Sequence, residues 1–218
     1  MNEFINSVLL VFAGLFPIVN PVGDAPIFLT LTRHSSLAER HSLASKVAVN
    51  SFILLTCSLF LGSYVLEFFG ITLPVLRIAG GLVVTAFGWK LLHTGDNPDE
   101  TDNEKTAGKQ IDAFYPLTMP LTVGPGSISV AIALGSQRPP AGQEAVTATL
   151  ATLGLAAVLG VAAIAVSIYV CYRFAETIVS VLGPRGTDVV MRLSAFILLC
   201  IGIQIMWAGY SSLMHPVH

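Results

Sequence analysis

Charged residues are scarce in this chain. Asp, Glu, Lys and Arg make up 11% of its 218 residues, against about 25% in soluble domains. Cysteine is scarcer still, at three: Cys57, Cys171 and Cys200. Each lies within or at the end of an apolar run. The odd count and the absence of ligand spacing read as free thiols, not a disulfide framework or a zinc site. The five histidines, His34, His41, His93, His215 and His218, all fall in expected loops or in the tail. None stands in a Cys, Ser or carboxylate arrangement that suggests catalysis. Gly124-Pro125-Gly126 lacks the lysine of a phosphate-binding loop. A net charge of -2 offers no basic surface for nucleic acid. The expectations are no enzyme, no metal, no cofactor and no nucleic-acid partner.

What the chain does have is long hydrophobic runs. Mean hydropathy is +0.76, and Ala113 to Gln137, Ala145 to Tyr172 and Leu193 to Met214 carry no charge at all. A helical span of a bilayer needs about 20 apolar residues. Six such spans are expected, near 4–32, 46–66, 73–92, 113–136, 146–172 and 190–213. Met1-Asn2-Glu3 lacks the basic flank of a signal peptide, so the first run reads as a span. Nine of the 11 basic residues fall in or beside three loops: Arg33, Arg40 and Lys46; Lys90, Lys105 and Lys109; Arg173, Arg185 and Arg192. Only Arg77 and Arg138 lie on the other side. The positive-inside bias therefore puts loops 1–2, 3–4 and 5–6 in the cytoplasm and both termini outside. Residues 93–112 hold six of the 13 acids and read as an acidic cytoplasmic linker. It separates a first half, 1–92, from a second, 113–218.

The first and fourth spans are interrupted at matching places. One reads Phe16-Pro17-Ile18-Val19-Asn20-Pro21-Val22-Gly23, the other Met119-Pro120-Leu121-Thr122-Val123-Gly124-Pro125-Gly126. Pro17 matches Pro120 at an offset of 103, and Pro21 matches Pro125 at 104. Val75-Leu76-Arg77-Ile78-Ala79 resembles Val190-Met191-Arg192-Leu193-Ser194 at 115. Three spans per half is an odd number, so the second half must be inverted. The expected fold is an all-α polytopic membrane protein of two inverted three-span repeats, with spans one and four broken. Inside a bilayer a broken helix survives only against protein or a wet cavity. Paired breaks in two halves point to a transporter's binding site.

Proline removes a backbone donor and pushes the preceding residue out of the helical region. The half-helix that follows presents a positive dipole end, suited to a carboxylate. The candidate binding residues are Asn20, Pro21, Gly23 and Asp24 at the first break, and Pro120, Thr122, Gly124, Pro125, Gly126 and Ser127 at the second. Glycines there let a ligand approach the backbone. Asp24 is a functional candidate as an embedded acid, able to couple proton movement to transport. It serves equally as a helix cap. The hydroxyls of Thr118, Thr122, Ser127 and Ser129 can alternatively bond back to their own helix. Arg77 and Arg192, near span starts, read as structural anchors that snorkel to the interface. The other span glycines, such as Gly80, Gly81, Gly202 and Gly209, suit close helix packing.

With Asn20-Pro21-Val22-Gly23, Pro26-Ile27-Phe28, Arg77-Ile78-Ala79-Gly80-Gly81, Pro116-Leu117-Thr118-Met119-Pro120 and Gly124-Pro125-Gly126-Ser127 in view, the chain resembles the MarC family over essentially its whole length. The resemblance implies a six-span bacterial inner-membrane protein, distantly similar to lysine-exporter-type amino-acid transporters. It implies small neutral amino acids such as glycine or alanine as substrates, with proton coupling. Asp24 departs from the Asn or small residue of many relatives. No catalytic residues carry over. The leading expectation is a secondary transporter of small neutral amino acids or similar solutes, with a channel-like or efflux protein, or a non-transporting scaffold, as alternatives. The expected partners are the solute and the lipid bilayer, with a homo-oligomer as a further option.

Overall fold

A computed structural model of the chain describes residues 2–93, 112–136 and 146–214. The acidic linker, apart from its two ends, lies outside the described residues, as do Arg138 and the C-terminal tail. Among the described residues every regular element is a helix.

Helix α1 spans Asn2–Val19 and stops because Pro21 has no N–H to give. Asn20 turns left-handed, at φ 46° and ψ 52°. Its side chain accepts a hydrogen bond from the Gly23 amide at 3.3 Å, which caps α2, Pro21–Leu31. The two axes meet at 41°. Thr32 closes α2 by donating its hydroxyl to the Phe28 carbonyl at 2.7 Å. Helix α3 covers Leu37–Phe68 and opens with a capping box: Ser36 accepts from the Glu39 amide, and Glu39 reaches back to the Ser36 amide. It ends where Gly70 adopts φ 67°. There the Ile71 amide donates to Leu66 at 2.9 Å and the Gly70 amide to Glu67 at 3.0 Å, the paired bonds of a Schellman motif. Helix α4 is Leu73–His93. After the linker comes a short π-helical turn, Leu117–Thr122, then α5, Pro125–Gly135. Helices α6, Val146–Arg173, and α7, Ala175–Met214, complete the chain. Helix α7 bends at Gly183, whose φ of 64° precedes Pro184.

By length and composition α3, α4, α6 and α7 can each cross a membrane, and the bent pair α1–α2 makes a fifth candidate. The stretch expected as the fourth span is the π turn plus α5, and α5 has only 11 residues. At 1.5 Å per residue it is about 16 Å long, half of a hydrocarbon core of about 30 Å. Two helices run further than the apolar runs suggested. Helix α3 begins at Leu37 rather than 46, and helical structure covers residues 175–189, expected as loop. Both extensions carry charges, Glu39 and Arg40 in one and Glu176, Arg185 and Asp188 in the other, so a search for charge-free apolar runs stops short of the helix ends.

The core gathers where α1, α2, α3, the π turn and α6 meet. Leu15, Val19, Phe28, Leu55, Leu117, Ile164, Ile168 and Tyr172 are fully buried there. Outward, Leu9, Ile53, Leu61, Val166 and Phe196 are exposed. An apolar exterior suits hydrocarbon as solvent. Helices α4 and α7 approach each other through glycine. A Cβ placed on Gly81 would stand 2.7 Å from the Gly202 carbonyl oxygen, so only hydrogen fits there. Small residues at such contacts let helices pack where lipid removes the hydrophobic drive between them.

Candidate functional site

The two breaks are built differently. At the first, Pro21 leaves the Pro17 carbonyl without its usual donor four residues on. The Asn20 amide still donates to Phe16 at 2.8 Å and the Asp24 amide to Asn20 at 3.1 Å, so the chain passes through the bend with few losses. Two side-chain atoms do go unsatisfied: Nδ2 of Asn20 and Oδ1 of Asp24 are buried with no hydrogen-bond partner. Leaving such a group unpaired costs about 1–3 kcal/mol, more for a charge. Asp24 is only 2% exposed. Gly23 is pinned between its own cap and α7. A Cβ there would meet the Asn20 side chain and come within 2.9 Å of Ser194 Cβ.

The second break is the more open. Pro116 and Pro120 each follow a cis peptide bond, and Met119 leaves the helical region at φ -120° and ψ 126°. Thr118 and Thr122 donate to carbonyls five residues back, Ala113 and Leu117, each at 2.7 Å. Ser127 donates to Gly124 and Ser129 to Gly126, each at 2.9 Å. All four hydroxyls thus make the back-bonds weighed from the sequence. Gly126 and Ser127 follow Pro125 in the first turn of α5, where amides have no intrahelical acceptor.

A cavity of about 100 Å³ opens at this break. Pro120, Thr122, Gly124, Pro125, Gly126 and Ser127 form one wall, so every second-break candidate lines it. Ile18 of α1, Val84 and Phe87 of α4 and Leu198 of α7 face it from the other helices. Asn20, Pro21, Gly23 and Asp24 do not line this cavity; only Ile18 reaches it from the first broken span. Neither Arg77, half-buried on α4, nor Arg192, exposed on α7, lies on its wall.

What joins the two breaks is Tyr172, which the sequence reading did not single out. Its ring stacks on Phe28 of α2, with centroids 4.4 Å apart and planes inclined by 15°. Its hydroxyl lies 2.7 Å from the Thr122 hydroxyl. Thr122 has already given its one proton to Leu117, so Tyr172 is the donor. Tyr172 therefore links α2 of the first broken span to the second break, by its stack on Phe28 and its bond to Thr122. In the sequence it is one of several hydroxyls in an apolar run, and nothing local sets it apart.

The family model described as MarC family integral membrane protein matches residues 5–214. The chain belongs to the MarC family. This MarC-family protein is 31% identical to the UPF0056 membrane protein YvbG of Bacillus subtilis, over 95% of each chain. It is 28% identical to the UPF0056 inner membrane protein MarC of Salmonella typhimurium over the full length of both. A UPF0056 membrane protein of Buchnera aphidicola is 30% identical over 94% of this chain and 93% of its own. No solved structure matches. As an integral membrane protein of this family, the chain places its broken helices in a setting where backbone cannot face lipid.

Proposed function

We propose that this MarC-family protein is a secondary transporter of small neutral amino acids or similar small solutes in a bacterial inner membrane. The reading takes its six spans as two inverted triplets, with both termini periplasmic and loops 1–2, 3–4 and 5–6 cytoplasmic. Packing supports the repeat. Exchanging spans one to three for four to six maps the main contacts onto one another: α4 on α7, α3 on α6, α2 on α7 as α5 on α4, and α2 on α6 as α5 on α3.

The observation that carries the proposal is the cavity walled by the second break. A water needs roughly 10–15 Å³ of such space, so about 100 Å³ holds several waters or one small solute. The free amides of Gly126 and Ser127, at the positive end of α5, take a carboxylate. Asp24 Oδ1, an unsatisfied acceptor, is the atom left to take an ammonium when the halves rearrange, and Asn20 Nδ2, an unsatisfied donor, is left for an oxygen of the solute.

The test is counterflow in proteoliposomes with labelled glycine, alanine and serine. Wild type exchanges at least one of them, and Asn20→Ala and Gly124→Leu reduce exchange. No exchange of any of the three points to a channel or to another solute. Exchange that survives both substitutions refutes the site.

A further inference from the structure

Arg40 is the charged residue that the site leaves unused and the fold nevertheless buries. It sits in the first turn of α3 at 7% exposure. Its Nε donates to the Thr32 hydroxyl and its Nη2 to the Thr32 carbonyl, both at 3.1 Å. Its Nη1 pairs with Glu176, in the first turn of α7. The partners are 136 residues apart and belong to opposite halves of the chain. Glu176 is half-exposed, so the pair stands at the mouth of the bundle.

Below it lies a second layer. Thr32 is four residues beyond Phe28, and Glu176 four beyond Tyr172. One helical turn is about 5.4 Å. The Phe28–Tyr172 stack, between α2 and the last turn of α6, therefore sits inward of the Arg40–Glu176 pair, which joins the Thr32 cap of α2 to the start of α7. Both rings are fully buried. Inward again, the Tyr172 hydroxyl holds Thr122 of the cavity wall. The order from outside to cavity is ion pair, aromatic stack, second break.

We propose that Arg40 and Glu176 lock a two-layer gate that closes the cavity from the side of loops 1–2 and 5–6. The inference rests on the transport reading above and adds how access to that site is controlled. Opening separates Glu176 from Arg40 and slides Phe28 off Tyr172. Arg40 keeps its two bonds to Thr32 in both states and stays with α2 and α3. The halves then part along the α2–α6 seam. A rocking carrier needs a cross-half bond of this kind, one solvated enough to break and charged enough to hold.

Accessibility tests this without any solute. In full-length protein with Cys57, Cys171 and Cys200 replaced by Ala, Ser127→Cys places one thiol on the cavity wall. Labelling by a membrane-impermeant methanethiosulfonate is timed from each face of oriented vesicles. Glu176→Gln raises the rate from the Arg40 face roughly tenfold, the population shift expected when one charge-assisted hydrogen bond is lost. The rate from the opposite face does not rise. Arg40→Gln does the same, and the double variant adds nothing further, because the two act as one bond. Glu176→Asp, which keeps the charge and guards against a misfolded amide variant, gives an intermediate rate. Unchanged labelling in Glu176→Gln, or an equal rise from both faces, overturns the gate. Sided labelling without counterflow would leave the gate standing and remove only the assignment of solute.

Discussion

The Tyr172 phenol donates to the Thr122 hydroxyl across 2.7 Å, and that one bond ties α6 to the second helix break. Tyr172→Phe deletes it and keeps the stack on Phe28. Hydrogen bonds between helices in membranes are worth about 0.6 kcal/mol on average. Thr122 keeps its bond to Leu117, so little else is lost. The expected outcome is a thermal midpoint in detergent within a few degrees of wild type, together with a several-fold change in the KM for exchanged solute. A stability loss with unaltered exchange would make Tyr172 a packing residue only.

Glycine contacts separate two neighbouring helices in a way that mutagenesis can read. A Cβ on Gly135 of α5 would overlap the Leu59 carbonyl of α3, which is backbone and cannot yield. Gly154 of α6 has only the Phe60 ring near, at 3.8 Å. Overpacking a tight contact costs about 1–3 kcal/mol or more, whereas Gly→Ala in an open helix position gains up to about 1 kcal/mol. Gly135→Ala should lower the thermal midpoint clearly, and Gly154→Ala should leave it level or raise it. Equal midpoints for the two would mean that α3 and α5 do not pack as closely as described.

The sequence already contained the breaks, because proline and Asn-Pro act locally. Asn20-Pro21 ends α1 where expected. Span three, expected at 73–92, is α4 at Leu73–His93. Span five, expected at 146–172, is α6 at Val146–Arg173. The helical start at Leu37 was written in Ser36-x-x-Glu39, but a polar turn leaves no mark on a hydropathy profile. Phe28, Tyr172 and Thr122 meet only after three elements converge, and no local pattern encodes that meeting. Arg40 counted only toward the positive-inside bias, and nothing local links it to Glu176, 136 residues away.

Asp24 offers a test of charge at a site where the fold gains little from it. Its Oδ1 has no partner and the residue is 2% exposed. A buried unpaired carboxylate is costly, so the amide of nearly the same shape removes that cost. Asp24→Asn should therefore fold with a midpoint no lower than wild type, while the proton dependence of uptake changes. Uptake measured at a series of pH values, in both proteins, decides it. Identical profiles would remove Asp24 from proton coupling.

Asn20 combines backbone shape and side-chain capping, and two substitutions take them apart. Its φ of 46° is one that Asn and Gly accept readily and Ala does not. Its Oδ1 also caps Gly23 at 3.3 Å. Asn20→Gly keeps the left-handed turn and loses the cap, a cost of a few tenths of a kcal/mol. Asn20→Ala loses the cap and strains the turn, about 1 kcal/mol for the first and 1–2 kcal/mol for the second. The expected order of thermal midpoints is wild type, then the Gly variant, then the Ala variant. Counterflow should fall in both, since both remove the unsatisfied Nδ2 from the first break. If the Gly variant exchanges solute as wild type does, the side chain serves only to end one helix and begin the next.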